Sequence, residues 1–322
     1  MAEDFVHKLF KTAMKETIQE KIENGASEEQ MKELESQENC NKTYKALVEQ
    51  ISDDSVNTIE SIMYEKVTKE RAFTDEFLAR QDQKWGEAFI ASDALYICII
   101  ESAESYRDYV IETYGQEVSY LYHALSNIHG RALQIYAEIM CLNKNGYADG
   151  AYARWRSLYE LSVIAAFISK NGEKVAEAFV KSADTNDRNE WARAAACFEN
   201  SRKRRIPFSD IRNESGLGTE EWNKEYAFVN KLVHASSQGT MYRMGADTSK
   251  VIPVGRSDIG MAISAIHSAM SLVQITKFFF GVFSYGESTV AVLTFHKWVD
   301  KIIEYYESVE DIFLSNEDEN EG

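Results

Sequence analysis

HGRALQIYAEIMCLNKNGYADGAYARWRSLYELSVIAAFI, residues 129–168, holds two helical patterns joined by a short turn. The first pattern begins upstream. Leu121, Leu125, Ile128, Ala132, Ile135, Ile139 and Leu142 alternate steps of four and three, which winds one apolar seam along a helix over residues 118–144. Gly146 and Gly150 bracket the turn, and a second helix is predicted over residues 151–170, stopped by Asn171-Gly172. Both helices read as core, yet they carry Arg131, Glu138, Arg154, Arg156 and Glu160. Charged side chains are rarely buried unless paired, so this stretch points to a built polar site as well as to a fold.

Outward from it the same helical reading continues. Only two prolines, Pro207 and Pro253, interrupt 322 residues, and an interior proline costs a helix about 3 kcal/mol. No strand-like alternation is sustained anywhere, so the expected class is all-α: a multi-helix bundle core with an N-terminal helical appendage. The chain is 44% hydrophobic and 12% aromatic, which places it among globular proteins.

Towards the N-terminus, Phe5, Leu9, Met14, Ile18 and Ile22 mark a first helix ended by Asn24-Gly25, and Ser27-Glu28-Glu29-Gln30 reads as a capping box. Helices follow over residues 41–51 and 56–81, separated by the acidic break Ser52-Asp53-Asp54. Residues 1–82 are polar on most faces and are expected to form an appendage or oligomerisation arm. The core is expected over residues 83–314. It opens with a helix at 85–114 closed by Gly115 and includes a helix over 173–200 and a loop over 206–218. A helix started by Thr219-Glu220-Glu221 follows, then a long aperiodic segment at 235–257 and two closing helices at 258–285 and 286–313. Residues 315–322 are expected to be a disordered acidic tail.

A formal net charge of −17 excludes a surface that holds nucleic acid by bulk attraction. The one basic run, Arg202-Lys203-Arg204-Arg205 with Arg188 and Arg193 upstream, reads as a solvated helix end or a local phosphate contact. Cys40, Cys98, Cys141 and Cys197 are scattered and form no CxxC pair. No metal site, cofactor or disulfide framework is expected. The N-terminus lacks the apolar core of a signal peptide, and residues 270–285 read as too short for a membrane span, so a cytoplasmic protein with no membrane contact is expected.

Three helices carry the candidate chemistry. Arg131, Gln134 and Glu138 share one face of the first, and Arg156 and Glu160 lie four apart on the second, with Arg154 beside them. On a third, Tyr226, Asn230 and His234 form a row, followed by Ser236 and Ser237. Guanidinium, carboxylate and imidazole together suit recognition of an anion, with His234, Arg156 and Glu160 as candidate catalytic groups. Arg131, Glu138, Arg154, Tyr226, Asn230, Ser236 and Ser237 are the candidate ligand-binding groups. Each has a plainer alternative: Arg156 and Glu160 as a pair fixing helix register, His234 as a helix terminus and the serines as turn residues.

GYADGAYARWRSLYELSVIAAFI together with YAFVNKLVHASSQGT resembles the bacterial helical family catalogued as domain of unknown function 5677. The resemblance rests on Gly146, Gly150, Arg154, Arg156, Glu160, Val233, His234 and Ser236 and covers about residues 117–240. It implies a helical fold and adds no mechanism. A more distant resemblance is to the HEPN superfamily, whose RNA-cleaving members place an arginine and a histidine four to six residues apart on one helix. Here no arginine stands at that distance before His234, and the nearest basic residue is Lys231.

Two functions are expected from these readings. The first is a binding or regulatory component of a bacterial stress or phage-defence system. Its Arg/Glu/His pocket would take an anionic small molecule or a partner segment, with a protein or a second copy of the chain as partner. The alternative is an enzyme directed at RNA or another phosphodiester, with His234 as general acid or base and Arg154 or Arg156 stabilising charge on phosphate.

Overall fold

A computed structural model describes residues 5–115, 119–185, 188–233, 237–241 and 255–320, with side chains described as far as residue 310. Its regular structure is α-helical, with two short 3-10 turns and no strand among the described residues. Two compact units divide between Glu76 and Phe77.

The first unit contains α1 (Phe5–Glu23), α2 (Glu28–Leu34) and the start of α3 (Gln37–Tyr114). The capping box forms as the sequence predicts: Ser27 Oγ accepts from Gln30 N, and Gln30 Oε1 accepts from Ser27 N. Phe10 meets Tyr44 edge-on at 5.4 Å, but no described residue of this unit is buried. The predicted acidic break at Ser52-Asp53-Asp54 is absent, and residues 37–114 form one helix. Two features explain this. Neither proline nor glycine occurs between residues 37 and 85, and the hydroxyls satisfy themselves inside the helix, Ser52 donating to Val48 O and Ser55 to Ile51 O.

The second unit holds the core. The latter part of α3 is followed by α4 (Tyr120–Lys144), α5 (Ala148–Asn171) and α6 (Glu173–Lys181), then α7 (Phe208–Ser215), α8 (Glu220–Val233) and α9 (Ser237–Met241), and finally α10 (Met261–Phe280) and α11 (Gly286–Asn320). Helix α10 packs against α4, α5 and α11. Its buried residues are mostly small: Ala262, Ser264, Ala265, Ser268 and Ala269 allow close approach. Their polar atoms are satisfied within the helix, as where Thr276 Oγ1 donates to Leu272 O, or across it, as where Ser264 Oγ donates to Asn143 Oδ1 of α4 at 2.8 Å. The α4 seam faces this core, with Leu125, Ile128, Ala132, Ile135 and Ile139 all buried. From α5, Trp155 is fully buried and donates its indole N–H to Ser271 Oγ at 3.1 Å.

Several boundaries differ from the sequence reading. Gly150 lies inside α5 rather than ahead of it. The helix predicted over 173–200 ends at Lys181 and gives way to 3-10 turns at Ser182–Asp184 and Glu190–Ala194, despite the helix-favouring alanines at 192 and 194–196. The returning chain is held by side chains: the Arg193 guanidinium donates to the carbonyls of Ser201 and Lys203, and Asn189 Nδ2 donates to Ile206 O. The predicted loop over 206–218 contains α7, with Pro207 as its N-cap and Gly216, at φ 81°, as its left-handed stop. Residues 258–285 contain the shorter α10, which is long and apolar enough to cross a membrane; 61% of its apolar window is buried in this unit. That length replaces the short 270–285 segment of the sequence reading. At the C-terminus α11 runs to Asn320. Of the aperiodic 235–257 segment, residues 242–254 lie outside the described residues.

Candidate functional site

The turn between α4 and α5 sets the phase of the site. Gly146 adopts φ 75°, and its carbonyl accepts from Ser257 N while Arg256 donates to Asn145 O at 2.8 Å. Clasped in this way, α4 and α5 run side by side, and Arg154 Nε reaches Glu138 Oε2 at 2.5 Å. Gln134 donates to the other oxygen of Glu138 at 3.3 Å. The Arg154 hydrogen bond is the main reason the Glu138 carboxyl is held below the usual carboxylate range.

One step further along α5, Arg156 Nε donates to Glu160 Oε1 at 3.1 Å. The same oxygen accepts from the Tyr226 hydroxyl of α8 at 2.7 Å. Burial, reinforced by the Glu160 carboxylate, pushes the Tyr226 phenol up, so it remains a donor at neutral pH. Two guanidinium groups lie by the Tyr226 ring, Arg212 at 4.9 Å and Arg156 at 5.6 Å from its centroid.

Arg154, Arg156, Glu160 and Tyr226 border an open cavity of about 400 Å³. Four arginines line it, Arg131, Arg154, Arg156 and Arg188, against one carboxylate, Glu160. Trp191, Phe208 and Tyr226 add aromatic wall. Arg131 and Arg188 are exposed and close no ion pair among the described residues. The Arg154–Glu138 and Arg156–Glu160 side chains retain between 25% and 36% exposure. Ion pairs as wet as these contribute at most about 1 kcal/mol, so exchanging one partner for a ligand costs the fold little. The result is a cationic concavity in a chain of net charge −17.

Arg131, Arg154, Arg156, Glu160 and Tyr226 therefore converge, with Glu138 behind Arg154. Asn230 does not line the cavity, and its Oδ1 is buried without a hydrogen-bond partner among the described residues. Ser237 is exposed at the start of α9, away from the lining. His234 and Ser236 lie outside the described residues. Arg188, Trp191, Phe208 and Arg212 were not among the predicted site residues. Of these only Arg188 left a trace in the sequence, as an outlier upstream of the basic run. No cluster of His, Cys, Asp and Glu suited to a metal occurs among the described residues.

Residues 122–214 match the model of a family of unknown function, DUF5677. The match takes in α4 to α7 and the R-S-L-Y-E segment of α5, and it ends before Val233, so the V-H-A-S part of the resemblance falls outside it. No curated protein and no solved structure matches the chain.

Proposed function

We propose that this chain is a binding or regulatory protein whose arginine-lined cavity takes a small ligand bearing a phosphate, sulfate or carboxylate group. The observation that carries the reading is the ratio of four arginines to one glutamate around a single concavity on an otherwise acidic chain. Guanidinium groups present planar donor forks to oxyanions, and a charge-assisted hydrogen bond contributes about 1.5–3 kcal/mol.

Calorimetric titration with inorganic pyrophosphate at fixed ionic strength tests it. Saturable binding is expected, weakened about tenfold or more in Arg154→Ala and in Arg188→Ala, and weakened again as salt is raised. Absence of saturable binding, or binding unchanged in both variants, overturns the assignment. Incubation with total RNA separates binding from catalysis. Cleavage lost in both Arg156→Ala and His234→Ala would move the site to phosphodiester chemistry.

A further inference from the structure

A second cavity, of about 420 Å³, shares no lining residue with the first. Its floor is apolar and aromatic: Tyr159 from α5, Leu217, Trp222 from α8, and Met270 and Val273 from α10. Trp222 stacks on the buried Tyr159 with their planes 15° apart and centroids at 5.5 Å, which fixes the partly buried indole in place. The opposite wall is one face of α11, where His296, Lys297, Asp300 and Ile303 line the opening, with Gln274 of α10 beside them.

That wall is polar in a particular way. Lys297 and Asp300 stand three residues apart on one helix, a spacing that favours a salt bridge, yet they close none with each other. One turn later Lys301 and Glu304, in the same order and at the same spacing, do pair, at 2.6 Å. The cavity is thus bordered by an ammonium and a carboxylate not paired with one another, one helical turn apart, facing an aromatic floor. His296 donates Nδ1–H to Val292 O, which fixes its ring at the mouth of the cavity.

We infer that this cavity binds a small zwitterion with an apolar body, of the class of the apolar α-amino acids. The ligand carboxylate meets Lys297, its ammonium meets Asp300, and its side chain lies on Trp222 and Met270. The volume is within the usual range for a small-molecule site, and the mixture of apolar floor and few convergent polar groups is what such sites have.

Calorimetry with L-phenylalanine, and with 3-phenylpropionate and phenethylamine as analogues lacking one charge each, tests this. L-phenylalanine is expected to bind saturably, and each analogue at least tenfold more weakly. Lys297→Gln should erase its advantage over phenethylamine, and Asp300→Asn its advantage over 3-phenylpropionate. Both residues are exposed, so circular dichroism should show these variants folded. Arg154→Ala should leave the binding unchanged, which keeps this result separate from that of the arginine cavity. No saturable binding of L-phenylalanine, or an analogue binding as tightly as L-phenylalanine, overturns the inference.

Discussion

Gly146→Ala is expected to destabilise the second unit by about 2–5 kcal/mol, far more than any single substitution among the exposed arginines. Two costs combine. The backbone at φ 75° is left-handed, a conformation that costs a residue with a Cβ about 1–2 kcal/mol. The added carbon would also stand 2.6 Å from Phe77 Cζ and 2.7 Å from the Ser257 carbonyl oxygen, so something must shift, at about 1–3 kcal/mol more. Gly216 provides the comparison, because its φ is 81° but a Cβ added there would meet nothing within 4 Å. Gly216→Ala should therefore lose only the conformational part. Urea melts followed by tryptophan fluorescence measure both variants in the relevant unit, since Trp85, Trp155, Trp191, Trp222 and Trp298 all lie beyond residue 76. Equal losses in the two variants would show that crowding at the turn contributes nothing. Because this turn sets Glu138 against Arg154, Gly146→Ala should also weaken pyrophosphate binding.

The same turn shows how far the sequence could be read. The α4 seam was legible because Leu125, Ile128, Ala132, Ile135 and Ile139 repeat on one face, and the structure buries each of them. Within a helix the site was legible too, as with Arg156 and Glu160 four apart on α5. What periodicity cannot supply is the contact between distant segments. Glu160 meets Tyr226 across sixty-six positions of sequence. Arg188 and Trp191 line the cavity where the chain has left the helix predicted over 173–200, a segment that Asn189 and Arg193 tie to carbonyls further along. Propensity alone favoured helix there and could not register these side-chain contacts. The second cavity left no signal at all, since Lys297 and Asp300 on α11 read as any solvated face until the Trp222 and Tyr159 rings are placed opposite them.

His129 supplies the other large effect, and it is a dependence on pH. In the sequence this histidine has no partner at metal-ligand spacing, and the structure buries it on α4, stacked on Phe279 at 4.9 Å. Its Nε2 lies 3.1 Å from Thr276 Oγ1, and the single hydroxyl hydrogen of Thr276 is already donated to Leu272 O. Thr276 must then accept, so Nε2 carries the proton and the ring is the neutral Nε2–H tautomer. Burial pushes its pKa down to about 4 from the ordinary 6.5. The unfolded chain therefore binds this proton at higher pH than the folded one. The stability that follows is fully present above pH 6.5, falls as the pH drops towards 4, and changes no further below that. The interval corresponds to about 3 kcal/mol, a substantial part of the roughly 5–15 kcal/mol that holds a domain together. His267, also pushed down by burial with Glu225 opposing, acts in the same direction, and carboxylates such as Glu138 add their own acid limb. The difference between the wild-type protein and His129→Gln, measured by urea melts at pH values from about 7 to 4, isolates this one ring. Glutamine retains an N–H for Thr276 but does not titrate. Wild-type stability should decline across that range by about 3 kcal/mol more than that of His129→Gln. Parallel pH profiles would mean that the folded core accepts the proton as readily as the unfolded chain, and that the α4–α10 contact at Thr276 is open to water.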